Sequence, residues 1–166
     1  MSDRPKEGAA RPARPDEAGI VAGLAREARR EALEYRGGER WMAMEAASEP
    51  LEDHLAALIA DPDAFVVVGI WEEAVVGYGW ARWVLRPDGS PIARIDELFV
   101  TPEARSVGVG ESLFGALMKW AREQGLVAVD AFVLPGHREA KNFFETFKMT
   151  AHALIVHTEL DQDLEP

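Results

Sequence analysis

Cysteine is absent from the chain. Its absence excludes a disulfide framework, a thiolate zinc site and a thiol nucleophile, and it fits a reducing compartment, with the cytoplasm as the expected location. Basic residues are scarce relative to acidic ones. Eighteen Lys and Arg against 29 Asp and Glu give a formal net charge of −11, which argues against a broad electrostatic grip on nucleic acid or an anionic membrane. No apolar run approaches the length of a membrane-spanning helix. The first 15 residues carry Arg and three of the ten prolines where a secretory signal would be apolar. No internal repeat is visible, so solenoids and propellers drop out. The four histidines, His54, His137, His152 and His157, lack metal-ligand spacing, and no metal site is expected.

What is present suits one packed domain. The 166 residues are 48% hydrophobic and 28% charged, ordinary values for a globular protein and too short a chain for a separate substrate domain. Residues 1–8 read as a disordered tail, 9–160 as the domain and 161–166 as a second tail. Hydrophobic periodicity predicts a short strand at 9–13. A helix follows from Pro15 with Ile20, Val21, Leu24, Ala25, Ala28 and Ala32 at helical spacing, closed by Gly37-Gly38. Residues 41–44 are ambiguous. A second helix starts near Pro50, with Leu51, Leu55, Leu58 and Ile59 on one face, and stops before Asp61-Pro62. β-Branched runs at 65–71, 74–85 and 92–100 make an antiparallel meander, followed by a helix at 110–124, a strand at 127–134, a short helix at 138–147 and a final strand at 150–160. The fold class is α/β, a mixed, mainly antiparallel sheet flanked by helices.

The sharpest feature is the run Arg105, Ser106, Val107, Gly108, Val109 and Gly110, set between the 92–100 strand and the next helix. Residues without a β-carbon let backbone N–H groups approach an anion, and the helix behind adds unpaired donors and the positive end of its dipole. That combination suits a pyrophosphate. Arg105 supplies a full positive charge, whereas Glu111 in the first turn would repel a phosphate. The loop lacks the Lys-Ser/Thr of an ATP-binding P-loop and the three-glycine spacing of a dinucleotide fingerprint.

With this placement the chain resembles the GNAT superfamily of N-acetyltransferases, whose loop signature is Arg/Gln-x-x-Gly-x-Gly/Ala after a central strand. The element order is similar over residues 9–160. The resemblance implies a cleft opened by two splayed central strands, an extended pantetheine arm of acetyl-CoA paired with Phe99 and Val100, and a pyrophosphate cradled by Arg105 to Gly110. A second family motif, Asn-x-x-Ala-x-x-Phe-Tyr with a Gly cap, is matched in part by the run from His137 to Met149. Ala140 and Phe143 align, but His137 stands for the Asn, Phe144 for the Tyr that often protonates the departing thiolate, and Lys148 for the cap Gly. Asn142 and Lys141 are candidate CoA contacts, with an exposed polar helix face as the alternative. His137 and Tyr35 are candidate substitutes for the missing acid.

A base matters more than an acid. A thiol with a pKa of about 8.5 leaves as thiolate at neutral pH for about 2 kcal/mol, whereas an alkyl amine with a pKa of about 10.4 is neutral in only about one molecule in 2,500. Glu97 is the candidate base. By strand alternation it shares a face with Ile95 and Phe99, which should desolvate it and raise its pKa, while Asp96 points the other way. The competing role for Glu97 is ion pairing with Arg82 or Arg94. Residues 41–80 hold eight acidic residues and no Lys or Arg. If this segment walls the acceptor pocket, it favours a cationic amine such as a polyamine, an aminoglycoside or a lysine side chain; otherwise it is a solvated acidic face. The expected activity is direct transfer of acetyl from acetyl-CoA to a primary amine in a ternary complex. The alternatives are a CoA-binding sensor without turnover, which Phe144 motivates, and an acidic protein-interaction domain. A homodimer is left open.

Overall fold

A computed structural model describes residues 7–160. Five strands form one sheet in the order β1 (Ala9–Pro12), β2 (Ala64–Trp71), β3 (Ala74–Leu85), β4 (Pro91–Val100) and β5 (Val129–Ala131). The first four pair antiparallel, and β4 pairs with β5 in parallel. Helices α1 (Ala18–Ala32), α2 (Gly38–Met44) and α3 (Leu51–Ala60) lie between β1 and β2 in the chain, while α4 (Val109–Glu123) and α5 (Arg138–Thr146) flank β5. The ambiguous segment at 41–44 is thus helical.

Period-2 alternation sends the strand side chains to two cores. Val66, Val68, Tyr78, Trp80 and Phe99 pack with the apolar stripes of α1 and α3. Val67, Ala81, Ala93, Ile95 and Val100 pack with Leu113, Phe114 and Leu117 of α4. Gly69 allows that helix to sit close, because a Cβ there would lie 2.4 Å from Val109 Cγ1. Among the described residues no helix is long and apolar enough to cross a membrane.

Two features of the sheet build the cleft. The β4–β5 ladder holds only Ala93, Arg94 and Ile95 against Val129, Asp130 and Ala131. The last bond along this edge is from the Phe132 N–H to the Ile95 carbonyl (3.2 Å). Beyond it the strands part, which is the expected splay. The second feature is a bulge: Ala81 pairs with Ile95 and Trp80 with Glu97, so Asp96 is an extra residue on β4.

Three expectations need correction. Residues 150–160 form no strand; Leu154 and Val156 are 85% and 95% exposed. The run is β-prone, but a strand requires a ladder partner, and this segment pairs with none of the described strands. The 127–134 strand shrinks to three residues because β4 turns away from it. The tail boundary also moves. Gly8 donates its N–H to the Val107 carbonyl (2.7 Å) and accepts the Ser112 hydroxyl (2.8 Å), so the chain is anchored on the glycine loop from residue 8. Residues 1–6 and 161–166 lie outside the described residues.

Candidate active site

The bulge reorients the central carboxylates. Without the extra residue Glu97 would share its face with Ile95; with it, Ile95 stays on the α4 side while Glu97 and Phe99 turn toward α1. Asp96 does not point the other way, since both carboxylates line the same two cavities.

Glu97 is buried and held on three sides. Arg29 of α1 donates through Nη2 to Oε1 (3.1 Å) and through Nη1 to Oε2 (3.3 Å), and the Tyr78 hydroxyl donates to Oε2 (2.7 Å). Arg29 is itself buried, stacked over Trp41 and bonded to the Ala25 carbonyl. Burial raises the Glu97 pKa to about 7, against the pull of Arg29 and Tyr78 in the opposite direction. Burial raises the Tyr78 pKa far above its usual value, so this hydroxyl stays a donor. Arg82 and Arg94 are not partners of Glu97. Asp96 takes both, Arg82 through Nη2 (3.0 Å) and Arg94 through Nε (3.2 Å).

One cavity, about 100 Å³, runs between the splayed strands from Glu97 past Leu98, Phe99 and Leu134 to His137, Ala140 and Phe144, with α1 as its opposite wall. A second, about 250 Å³, is bounded by Trp41, His54, Trp80, Arg82 and Arg94. Both include Trp41, Asp96, Glu97 and Phe132, so they meet at Glu97.

Strand geometry identifies the backbone that faces the first cavity. The Thr101 N–H donates to Val76 on β3, and the carbonyls of Phe99 and Glu97 lie against Gly77 and Gly79 of the same strand. By alternation the polar groups of Leu98 and Val100 face the cleft. The Val100 carbonyl already accepts from Arg105 Nε (3.0 Å). Phe99 therefore contributes its ring, and Leu98 is the edge residue missed by reading the sequence alone; period 2 counted from Val100 points to it.

The glycine loop lines neither cavity but reaches the first through Arg105, whose partners Glu31 and Phe99 stand in its wall. Gly108 caps α4 in the left-handed region (φ 84°), where a β-carbon is strained, and the helix ladder begins with the Ser112 N–H on the Gly108 carbonyl. The N–H groups of the first helical turn are left without helical partners, as an anion requires. Ser106 is exposed and also left-handed (φ 73°). Val109 turns its side chain into the core, and Gly110 faces the Phe143 ring. Arg105 is not a free charge. Its Nη2 donates to Glu31 (2.6 Å), and its guanidinium lies over Phe99, so it braces the loop against α1. Asn142 is exposed on α5 and lines neither cavity. Phe144 is buried against Phe114. His137 stacks on Tyr35 and lies 3.8 Å from Glu31. Burial lowers the His137 pKa and raises that of Tyr35.

An open strand edge and a buried carboxylate line one cavity, and the glycine loop is braced on Glu31 in its wall. Residues 22–149 match the acetyltransferase (GNAT) family. The chain belongs to this family. A mycothiol acetyltransferase of Paenarthrobacter aurescens (strain TC1) is 34% identical over 76 residues, which cover 44% of this chain and 23% of that protein. The chain thus matches less than a quarter of that relative's length. An aminoglycoside acetyltransferase from an uncultured soil metagenomic sample has a TM-score of 0.67 at 22% identity, covering 92% of this chain and 94% of its own. A mutant of the BH1408 protein of Bacillus halodurans has a TM-score of 0.75 at 19% identity, with 91% and 98% covered. These structures share the GNAT fold. Among the described residues, no group of three or more His, Asp or Glu could hold a metal ion.

Proposed function

We propose that the protein transfers acetyl from acetyl-CoA to a primary amine by direct attack with both substrates bound. The observation that carries this reading is the meeting of the two cavities at Glu97, one walled by Glu31 and Phe99, on which Arg105 braces the glycine loop, and the other lined by Trp41, Trp80, Arg82 and Arg94. Acetyl-CoA, the co-substrate, brings an activated acyl group to the junction. The loop from Arg105 to Gly110 holds the pyrophosphate, mostly through main-chain N–H groups, and the exposed edges of Leu98 and Val100 orient the pantetheine arm. Asn142 reaches at most the solvent-facing part of the CoA.

Glu97 takes the proton from the acceptor, directly or through a water. Its pKa of about 7 leaves a substantial ionised fraction near neutrality while keeping it basic enough to accept a proton. Arg29 and Tyr78 fix its orientation. The chain has no cysteine to carry the acyl group, which suits direct attack. Phe144 offers no proton to the departing thiolate, and at about 2 kcal/mol that step does not need a dedicated acid.

The test is release of free thiol from acetyl-CoA with and without a panel of primary amines, alongside the thermal stability of the protein with CoA. Amine-dependent release supports the transferase. Stabilisation by CoA with no release for any amine would favour a sensor, because a ligand that binds only the folded state raises its apparent stability.

A further inference from the structure

The second cavity is lined by charges that the sequence does not suggest. Of the eight acidic residues in 41–80, only Glu45 lines it. Glu49 and Glu52 are turned away onto Arg26. Facing the cavity instead are Arg82 and Arg94, directly opposite each other across the β3–β4 ladder. Like charges in that position repel and require a reason or a bridge. Asp96 is a partial bridge, since one carboxylate serves two guanidiniums. Glu45 is a second partner of Arg94 and also meets Arg40, each at 3.5 Å.

With Glu97 and Arg29 neutralising each other, Arg82 and Arg94 are met in the cavity wall by Asp96 and Glu45. In a chain of net charge −11, positive and negative side chains are thus matched in this wall beside Glu97. The Arg82 and Arg94 side chains are 47% and 38% exposed, leaving N–H groups open to the cavity. His54 does not oppose them, because burial lowers its pKa and keeps it neutral. Trp41 and Trp80 supply apolar walls.

We propose that this cavity selects amines that carry an anionic group, which docks on Arg82 and Arg94 while the amine lies at Glu97; the assignment rests on the acetyl-transfer reading above. A guanidinium matches a carboxylate in shape as well as charge, so a carboxylate is the anion favoured here. Arg94 and Glu97 lie opposite Arg82 and Trp80, two regular strand steps or roughly 7 Å apart across the bulge, so the carboxylate and the amine are separated by several bonds. The guanidiniums also lower the pKa of a nearby amine, which increases its reactive neutral fraction.

Matched acceptors test the assignment. Unbranched ω-amino acids of two to eight carbons are compared with n-alkylamines of equal length in thiol release from acetyl-CoA, with ω-aminoalkylphosphonates as a third series. The expected result is a kcat/KM at least about tenfold higher for an anionic acceptor than for the plain amine, growing with chain length until the span is reached. Preference for the phosphonate over the carboxylate would keep the anion site and overturn its carboxylate geometry. R94Q should abolish the ratio between the series, R94K should restore part of it, and both should leave the KM for acetyl-CoA unchanged. Calorimetry of the best amino acid with the CoA-saturated protein gives a readout independent of turnover: binding by the wild type, and loss in R94Q. R82Q repeats the test should R94Q fold poorly. Equal rates for the series would leave acetyl transfer standing and overturn the anion site. No release with any amine would instead sink the transferase reading.

Discussion

Glu97→Gln separates a catalytic base from a buried structural carboxylate. Gln keeps the shape and still accepts a bond from Arg29 through its carbonyl, but it takes up no proton. With Glu97 at a pKa of about 7 and an acceptor near 10.4, kcat/KM should rise tenfold per pH unit below about 7, run level to about 10 and then fall. The variant must wait for amine that is already neutral, so its rate should climb tenfold per unit through the whole interval. A base contributes about 10²–10⁴-fold. A loss of about 10³ at pH 7 should therefore shrink to about tenfold at pH 9. Initial rates of thiol release at sub-saturating acceptor measure this, with CoA affinity as the control for folding. Retention of the limb near pH 7 in the variant, or a loss equal at pH 7 and pH 9, would refute the assignment.

The raised pKa also has a stability consequence whose sign is fixed. A carboxyl group whose folded pKa lies above its unfolded value contributes stability below the unfolded pKa, and that contribution is lost as pH rises through the folded pKa. The wild type should therefore lose stability relative to Glu97→Gln between about pH 4.5 and 7. Urea denaturation at the two ends of that window gives the difference. An unchanged difference would mean that Glu97 ionises in the native state as it does in the unfolded chain.

Three further substitutions probe the rest of the site and its frame. Ser106→Asp places a negative charge beside the proposed pyrophosphate and should weaken CoA binding by about tenfold or more, since each charge pair at contact is worth about 1 kcal/mol in water; Ser106→Asn, which tolerates the same left-handed backbone, should not, and equal affinities by calorimetry would displace the phosphate from this loop. Phe144→Tyr restores a hydroxyl in the first cavity and should raise kcat by no more than about 30-fold, the whole of the thiolate cost at pH 7; a larger gain would mean that thiolate departure carries more of the barrier than argued here. Lys148 occupies the left-handed region (φ 63°) after α5, so Lys148→Gly should stabilise the fold by about 1 kcal/mol in urea titration, and destabilisation would show that its side chain is anchored.

Local signals carried much of the architecture. The periodicity of α1, α3 and α4 and the β-branched runs of β2 to β4 can be read from the chain because each element buries one face or two. The glycine loop was also visible, since a strand, a Gly-x-Gly turn and an amphipathic helix are contiguous. The charges were less legible. Arg105 reads as a phosphate ligand until its partner Glu31, 74 residues away, is in place. The acidic stretch at 41–80 reads as a pocket wall until Glu49 and Glu52 are seen on Arg26. A charge counted in a window has no direction, and an ion pair between α1 and β4 has no spacing to reveal it.

One inserted residue accounts for most of what alternation missed. With a regular β4, Asp96 and Glu97 would face opposite cores, and one carboxylate would lie under α4 far from the cleft. The bulge puts both on the α1 face and divides their roles: Asp96 ties Arg82 to Arg94 at the acceptor side, while Glu97 turns into the cleft toward Arg29 and Tyr78. The last turns of α1 complete the arrangement. Arg29 fixes Glu97, and Glu31, two residues on, fixes the loop through Arg105. Ala28 and Ala32 line the first cavity between them, where larger side chains would fill the channel. The same short helical stretch thus sets the position of the buried carboxylate, the position of the loop and the width of the cavity beside them.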